Sequence, residues 1–159
     1  MKKGDAMPDY LETTLDKFTF RVAKDRLYTG QGAWVFWMRP EAPTRVRIGL
    51  ADYLQQRSGD VAFATVQAVG TKLGAGERLA EIETIKAMVE LPSPVSGTVA
   101  EVNSALDTTP EVINQDPYGN GWLAVMETTS WETERAKLLE PEAYFSAMRV
   151  EALEELKKL

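Results

Sequence analysis

Few side chains in this 159-residue chain are equipped for chemistry, and one lysine is set apart by its surroundings. Ahead of Lys86, Ala80, Ile82 and Thr84 alternate with Glu81 and Glu83; after it, Val89 and Leu91 are offset from Met88 and Glu90. A period of two is the mark of a half-buried strand. The two runs meet at Ile85-Lys86-Ala87, with no Gly, Pro or Asn beside the lysine, so the pattern predicts a hairpin with a primary amine at its tip. Pro92, Pro94 and Gly97 end the second run, because proline cannot donate to a ladder and glycine permits a turn. On the residues alone, such a lysine is a solvated charge that keeps a sheet edge from aggregating.

The absences bound the chemistry further. The chain has no cysteine and no histidine. A Ser-His or Cys-His nucleophile is therefore impossible, the commonest general base is missing, and a zinc site is not expected. Carboxylates remain, but nothing in the spacing forces two of them together in a cleft. The expectation is a protein with no catalytic residues and no metal ligands of its own. A cofactor borrowed through Lys86 would supply chemistry that the side chains cannot. The formal net charge of −6 argues against nucleic-acid binding, which needs a basic surface. An acidic surface either keeps the protein in solution or docks on basic rims of partners. No apolar run reaches the length of a membrane span, and the charged start lacks the apolar stretch of a signal peptide, so a cytoplasmic or organelle-matrix location is expected and no membrane is involved.

The elements that must hold the lysine read as mainly β. Residues 1–17 read as a loosely held leader, in which Leu11 and Leu15 are one helical turn apart and suggest a short docking helix. Strands are expected at 18–22, at 33–38 (apolar on both faces, with Trp34 and Trp37 as core), at 45–50, at 61–66, at 98–102 and at 122–126. Residues 52–57 form a short helix that stops near Ser58-Gly59. Residues 69–77 are glycine-rich; the lysine is misplaced for a phosphate loop, so this is a turn. It echoes Val95-Ser96-Gly97-Thr98-Val99. Residues 103–107 turn the chain, and Pro110 to Ile113 is a single helical turn. Thr129 with Glu132 fits a capping box, Pro141 restarts a helix, and Phe145, Met148, Ala152, Leu153 and Leu156 form one apolar stripe. The organisation is thus a leader (1–17), a main domain (18–128) and a helical extension (129–159).

Two stretches carry a resemblance. Glu83-Thr84-Ile85-Lys86-Ala87, followed by Pro92-Ser93-Pro94-Val95-Ser96-Gly97, resembles the modification hairpin of lipoyl domains, and Gly70 and Gly97 fall at that family's flanking glycine positions. Asn114-Gln115-Asp116-Pro117-Tyr118-Gly119-Asn120-Gly121-Trp122-Leu123, with Gly49-Leu50-Ala51-Asp52-Tyr53 and Gly59-Asp60-Val61, resembles the H-protein family of the glycine cleavage system. The resemblance spans roughly residues 28–126. It implies a lipoyl-type flattened barrel (a barrel-sandwich hybrid) with short helices and a C-terminal helix. It further implies lipoic acid joined by an amide bond to Lys86, and a recognition role for Glu83 toward the lipoylating enzymes.

The function implied is that of a swinging-arm carrier between glycine decarboxylase, aminomethyltransferase and dihydrolipoyl dehydrogenase, modified by a lipoate ligase or an octanoyl/lipoyl transferase. One departure opens an alternative. Where the family reads Glu-His-Glu-Trp, this chain reads Gln31-Gly32-Ala33-Trp34. H-like proteins that carry sulfur for a heterodisulfide-reductase-like complex are the second reading. Biotin carriers share the fold but usually have methionine on both sides of the lysine, where this chain has Ile85 and Ala87. An unmodified binding module with the same fold is the remaining possibility.

Overall fold

The structure, a computed structural model, describes residues 8–39 and 41–159. Eleven strands and five short or medium helices follow one another among these residues. β1 (Tyr10–Leu15) and β2 (Phe18–Ala23) form an antiparallel hairpin. The expected helix at Leu11 and Leu15 is therefore a strand. Leu11, Thr13 and Leu15 share the less exposed side of β1, a period of two that also satisfies the one-turn spacing.

Six strands make the larger sheet, in the order β3 (Leu27–Tyr28), β4 (Ala33–Arg39), β5 (Arg45–Leu50), β11 (Ala124–Thr128), β10 (Gly97–Val102) and β7 (Lys72–Leu73). The smaller sheet holds β6 (Val61–Val66), β8 (Arg78–Thr84) and β9 (Met88–Pro92), with β8 in the middle. Val46, Ile48, Leu50, Val99 and Met126 from the first sheet meet Val61, Leu79, Ile82 and Leu91 from the second in one buried cluster. That is the arrangement of a sandwich, two apolar faces closed on each other. A bulge between Arg78 and Ala80 turns both Leu79 and Ala80 inward.

The two segments that echo each other in sequence lie side by side. β7 pairs antiparallel with β10 at Gly97–Leu73 and Thr98–Lys72, and Gly70 N–H donates to the Val99 carbonyl at 2.8 Å. Gly97 has no alternative there, since a Cβ would collide with the Glu127 carbonyl of β11. The 103–107 segment is a helical turn, α2 (Ala105–Thr108), where a plain turn was expected. Asn103 starts it by accepting the Ala105 N–H while its amide donates to the Asn120 and Trp122 carbonyls, both at 2.8 Å. α1 (Asp52–Ser58) and α3 (Val112–Gln115) fall close to where the sequence placed them.

The C-terminal stretch gives α4 (Trp131–Glu134), a 3-10 turn, and the 17-residue α5 (Pro141–Lys157), which begins at the proline as expected. The capping box does not form. Ser130 occupies the cap position without a side-chain bond, and the acid used is Glu134, which accepts the Ser96 N–H at 2.8 Å and the Ser96 hydroxyl at 2.6 Å. α5 seats Tyr144, Met148 and Ala152 against Phe20, Tyr28, Trp34 and Tyr53, making a second buried cluster. Leu153, expected on the apolar stripe, is 42% exposed. The Tyr28 and Tyr144 rings stack at 4.5 Å. Trp34 is fully buried, but Trp37 is only half-buried and lies 5.7 Å from Trp131.

Candidate functional site: the Lys86 hairpin

Lys86 stands on the link between β8 and β9, outside the last ladder pair, Glu83 with Met88. Thr84 ties the link. Its backbone N–H donates to the Ala87 carbonyl at 2.8 Å, and its hydroxyl donates to the same oxygen at 3.1 Å. The hydroxyl also accepts the N–H groups of Ala87 at 3.0 Å and Lys86 at 3.3 Å. A threonine that satisfies the turn amides from its own side chain does what Asn or Gly does elsewhere. The tip needs neither for that reason.

Support reaches the tip from beneath. The Ile85 N–H donates to the Asp60 carbonyl at 3.1 Å. Next to it, Gly59 has φ 93° and lies against the lysine stem; a Cβ there would stand 3.1 Å from Lys86 Cε. The left-handed backbone favours glycine here, and the lysine stem uses the space that the missing Cβ leaves. Asn114 then fixes this segment. Its Oδ1 accepts the Val61 N–H at 2.9 Å, and its Nδ2 donates to the Gly59 carbonyl and to Gln55 Oε1, both at 3.0 Å. One carboxamide thus joins the end of α1, the Gly59-Asp60 segment and the start of β6, directly under the lysine. The same stretch holds the N-terminal hairpin, with Tyr118 O–H donating to the Arg21 carbonyl at 2.7 Å and Trp34 Nε1 donating to the Pro117 carbonyl at 2.9 Å. Sequence reasoning read this segment as turn formers that return the chain to the core. It missed Asn114 and Thr84 as supports of the tip. A threonine two residues before an otherwise turnless lysine was the available signal; for Asn114 there was none short of the fold.

Lys86 is exposed, and its amine has no ion-pair partner among the described residues. Glu83 is also exposed and unpaired in the same sense, whereas Glu81 and Glu90 on the same sheet are both engaged by Arg78. The register sets Phe63, Glu83 and Met88 in one row across β6, β8 and β9. Phe63 is 66% exposed, Met88 53% and Ile85, beside the lysine, 78%. The amine is thus flanked by a free carboxylate and by uncovered apolar side chains.

On its other side the lysine borders a groove of about 220 Å³, lined by Phe18, Phe20, Tyr53, Arg57, Ala152 and Leu156 among others. Tyr53 is buried, and its hydroxyl has no hydrogen-bond partner among the described residues. Burial pushes its phenol above the ordinary value, with Glu151 adding to the shift, so it stays a proton donor. Arg57 pairs with Glu151 across the gap between α1 and α5. The altered docking strand has a steric reason: at Gly32, with φ 101°, a Cβ would meet Leu54 Cβ at 3.1 Å and lie 3.5 Å from the Tyr144 hydroxyl of α5.

Chemically, this arrangement displays a nucleophilic amine on a braced tip. Among the described residues no group of three or more Cys, His, Asp or Glu side chains could hold a metal ion, and no helix is long and apolar enough to cross a membrane. The residues present fit an amide-linked arm: an unpaired amine, room around it, and an adjoining groove.

Comparison with known proteins agrees with this geometry. The family model described as glycine cleavage H-protein matches residues 26–151. A glycine cleavage system H protein of Stenotrophomonas maltophilia is 45% identical over 112 residues, which cover 70% of this chain and 85% of that protein. One from Mycobacterium tuberculosis is 40% identical over 128 residues, 77% of this chain and 93% of the relative. The crystal structure of a glycine cleavage system H protein from Mycobacterium marinum matches with a TM-score of 0.68 at 33% identity, covering 77% of this chain and 95% of that one. The chain belongs to the glycine cleavage H-protein family.

Proposed function

We propose that Lys86 is the lipoyl attachment site of this protein, and that the hairpin presents the arm in turn to the enzymes of glycine cleavage. Members of the family are non-catalytic lipoyl carriers, and this chain is one of them. When bound, the lipoyl group supplies the dithiol–disulfide pair that carries an aminomethyl group and reducing equivalents. The chain's own residues supply display. Thr84 holds the tip in one conformation, Gly59 and Asn114 brace it from below, and the exposed row of Phe63, Glu83 and Met88 gives partner enzymes a face to read. The partners that family membership implies are glycine decarboxylase, aminomethyltransferase, dihydrolipoyl dehydrogenase and the lipoylating ligase or transferase.

The observation that carries the assignment of Lys86 is an exposed amine without an ion-pair partner on a hydrogen-bonded hairpin tip. Rigid placement is what a ligase needs, because a pre-organised substrate loses little entropy on docking. The same reasoning makes Glu83 a recognition residue, since its carboxylate is unpaired and it stands in the last ladder pair, three residues before Lys86. A cytoplasmic location belongs to this proposal; the bacterial relatives support it. The sulfur-carrier alternative draws no support from the three relatives described above, each a glycine cleavage system H protein, and is not carried forward.

The test is modification followed by loading. Lipoate ligase with ATP is expected to add one lipoyl group, which peptide mass spectrometry places on Lys86. Lys86→Arg is expected to abolish that adduct while shifting stability by less than about 0.5 kcal/mol, as for exposed positions generally. The modified protein is then expected to be reduced by glycine decarboxylase in the presence of glycine. An adduct that persists in the Lys86→Arg variant refutes the assignment.

A further inference from the structure

Three arginines gather on the outer face of the larger sheet, and two of them have carboxylate partners. Arg26 is 8% exposed, with its guanidinium over the rings of Trp34 and Phe36 at 4.6 and 5.2 Å. Asp25 accepts from its Nε at 2.7 Å and from its Nη2 at 3.2 Å, and the Tyr118 carbonyl accepts from Nη1 at 3.0 Å. Arg45 reaches Glu127 at 3.3 Å and Glu101 at 3.9 Å. Arg47 is the exception. It pairs across the sheet with Phe36 of β4 and Val125 of β11, and its guanidinium stands 4.9 Å from the centre of the Trp122 ring. It makes no ion pair among the described residues, and its Nε is covered without a hydrogen-bond partner.

A half-buried guanidinium with no acceptor is costly, because water has been stripped from it and nothing has replaced that water. Burial holds its pKa below the ordinary arginine value, and Glu101 offsets only part of the shift. The group keeps its charge all the same. Arg26 shows how this fold satisfies a guanidinium on an aromatic ring when the chain supplies the acid. Arg47 has the aromatic seat, beside Phe36 and over Trp122, without the acid. Its methylene stem can cover Val125, which is fully buried, but that task needs no charge.

The missing acceptor has a definite chemistry. A carboxylate matches the planar fork of a guanidinium with two parallel hydrogen bonds. A phosphate dianion is disfavoured, because Glu101 lies in the same row beyond Val125 and Glu127 faces Arg45 one row away. The site is a sheet face and not a cleft, so a free carboxylate finds few walls there. Phe36 and Trp122 are both half-buried, and their uncovered surface suits apolar side chains flanking an acid. Arginine among aromatic rings is the composition of a protein–protein contact.

We infer that Arg47, with Phe36 and Trp122, is a docking point for an acidic side chain of a partner protein. The partner's carboxylate takes the place at Arg47 that Asp25 takes at Arg26, and its neighbours rest on the two rings. Lys86 belongs to the hairpin of the other sheet, so a partner seated here leaves the amine uncovered.

The experiment titrates the full-length, isotope-labelled protein with an acetylated and amidated Leu-Glu-Leu peptide, and with its Leu-Gln-Leu counterpart, at constant ionic strength. The Arg47 Nε–H and Trp122 indole N–H resonances are expected to move saturably with the glutamate peptide. The glutamine peptide and sodium acetate are each expected to bind about tenfold more weakly or not at all. Arg47→Gln is expected to abolish the Trp122 shift, and Arg47→Lys to weaken binding severalfold, because an ammonium offers no planar fork. Arg47→Gln is also expected to be as heat-stable as the wild type or more so, since it removes a desolvated charge. In the lipoylated protein the same substitution is expected to raise KM severalfold, at unchanged kcat, for at least one of glycine decarboxylase, aminomethyltransferase and dihydrolipoyl dehydrogenase.

Equal shifts with both peptides, or shifts that survive Arg47→Gln, would overturn the inference. So would acetate binding as tightly as the peptide, which would make this a site for free carboxylates. Absent shifts, with a melting temperature lowered by Arg47→Gln, would leave Arg47 as a mere cover for Val125. A KM unchanged for all three enzymes would remove the docking role. The peptide titration needs no lipoyl group, so a failure to modify Lys86 would overturn the carrier reading alone.

Discussion

Asn114 braces the segment beneath the lysine tip, and its replacement by alanine gives a sharp test of the bracing argument. The substitution removes three hydrogen bonds, at 2.9, 3.0 and 3.0 Å, and strands the Val61 N–H, the Gly59 carbonyl and Gln55 Oε1. Each bond is worth about 1 kcal/mol net, so the expected loss is about 3 kcal/mol. For a chain of this size that lowers the thermal midpoint by about 6–12 °C. Asn114→Asp keeps the acceptor toward Val61 but sets a carboxylate oxygen against the Gly59 carbonyl and Gln55 Oε1, and should be no more stable than alanine at neutral pH.

Stability alone would not separate bracing of the tip from a general packing defect. Amide hydrogen exchange supplies the difference. The Ile85 N–H, bonded to the Asp60 carbonyl, should lose protection in Asn114→Ala well beyond the loss seen at Ile48 or Val125 in the far sheet. The rate constant for ligase-catalysed lipoylation should fall in parallel, because a mobile tip must be ordered on each encounter. Uniform loss of protection across both sheets, or unaltered exchange at Ile85, would refute the reasoning.

Three other outcomes follow from the structure. Glu83→Gln should lower kcat/KM for lipoylation without moving the urea midpoint, since the carboxylate is exposed and makes no ion pair among the described residues; an unchanged kcat/KM would remove it from recognition. Gly97→Ala drives a Cβ into the β11 backbone at Glu127 and Thr128, neither of which can yield, and should cost about 1–3 kcal/mol in urea unfolding. Glu134→Ala leaves the buried-side Ser96 N–H and hydroxyl without their acceptor and should cost about 2 kcal/mol, with Glu134→Gln recovering part of it.

The lysine hairpin was legible because strands alternate with a period of two, and because Ile85-Lys86-Ala87 interrupts two such runs without a breaker. Strand β5 was legible for the same reason and β4 by its unbroken apolar run, whereas the two-residue strands β3 and β7 are too short to show a period. The N-terminal strand β1 was not: Leu11 and Leu15 satisfy the helical spacing and the strand spacing equally, and only pairing with Phe18 to Ala23 decides. The capping box failed because the helix starts one residue later than expected: Ser130, not Thr129, is at the cap position, which takes Glu132 out of the register the box needs. The groove was invisible for another reason. Its walls come from residues 18 to 20, 53 to 57, 86 and 152 to 156, which no local pattern joins. Tyr53 looked like one residue of a short helix, and its unpaired hydroxyl is a property of what surrounds it.

The position of β11 bears on when the protein can be modified. This late segment of the chain lies between β5 and β10 in the six-stranded sheet, pairing Ala124 with Ile48 on one side and Val102 on the other. Asn114 is nearly as late. A chain that ends before Asn114 has the tip amine but lacks the carboxamide beneath it and the β11 strand that completes the larger sheet. Contacts this distant along the chain form slowly. If Lys86 is the attachment site, as proposed, a ligase that reads the braced tip should modify completed chains faster than chains ended before Asn114.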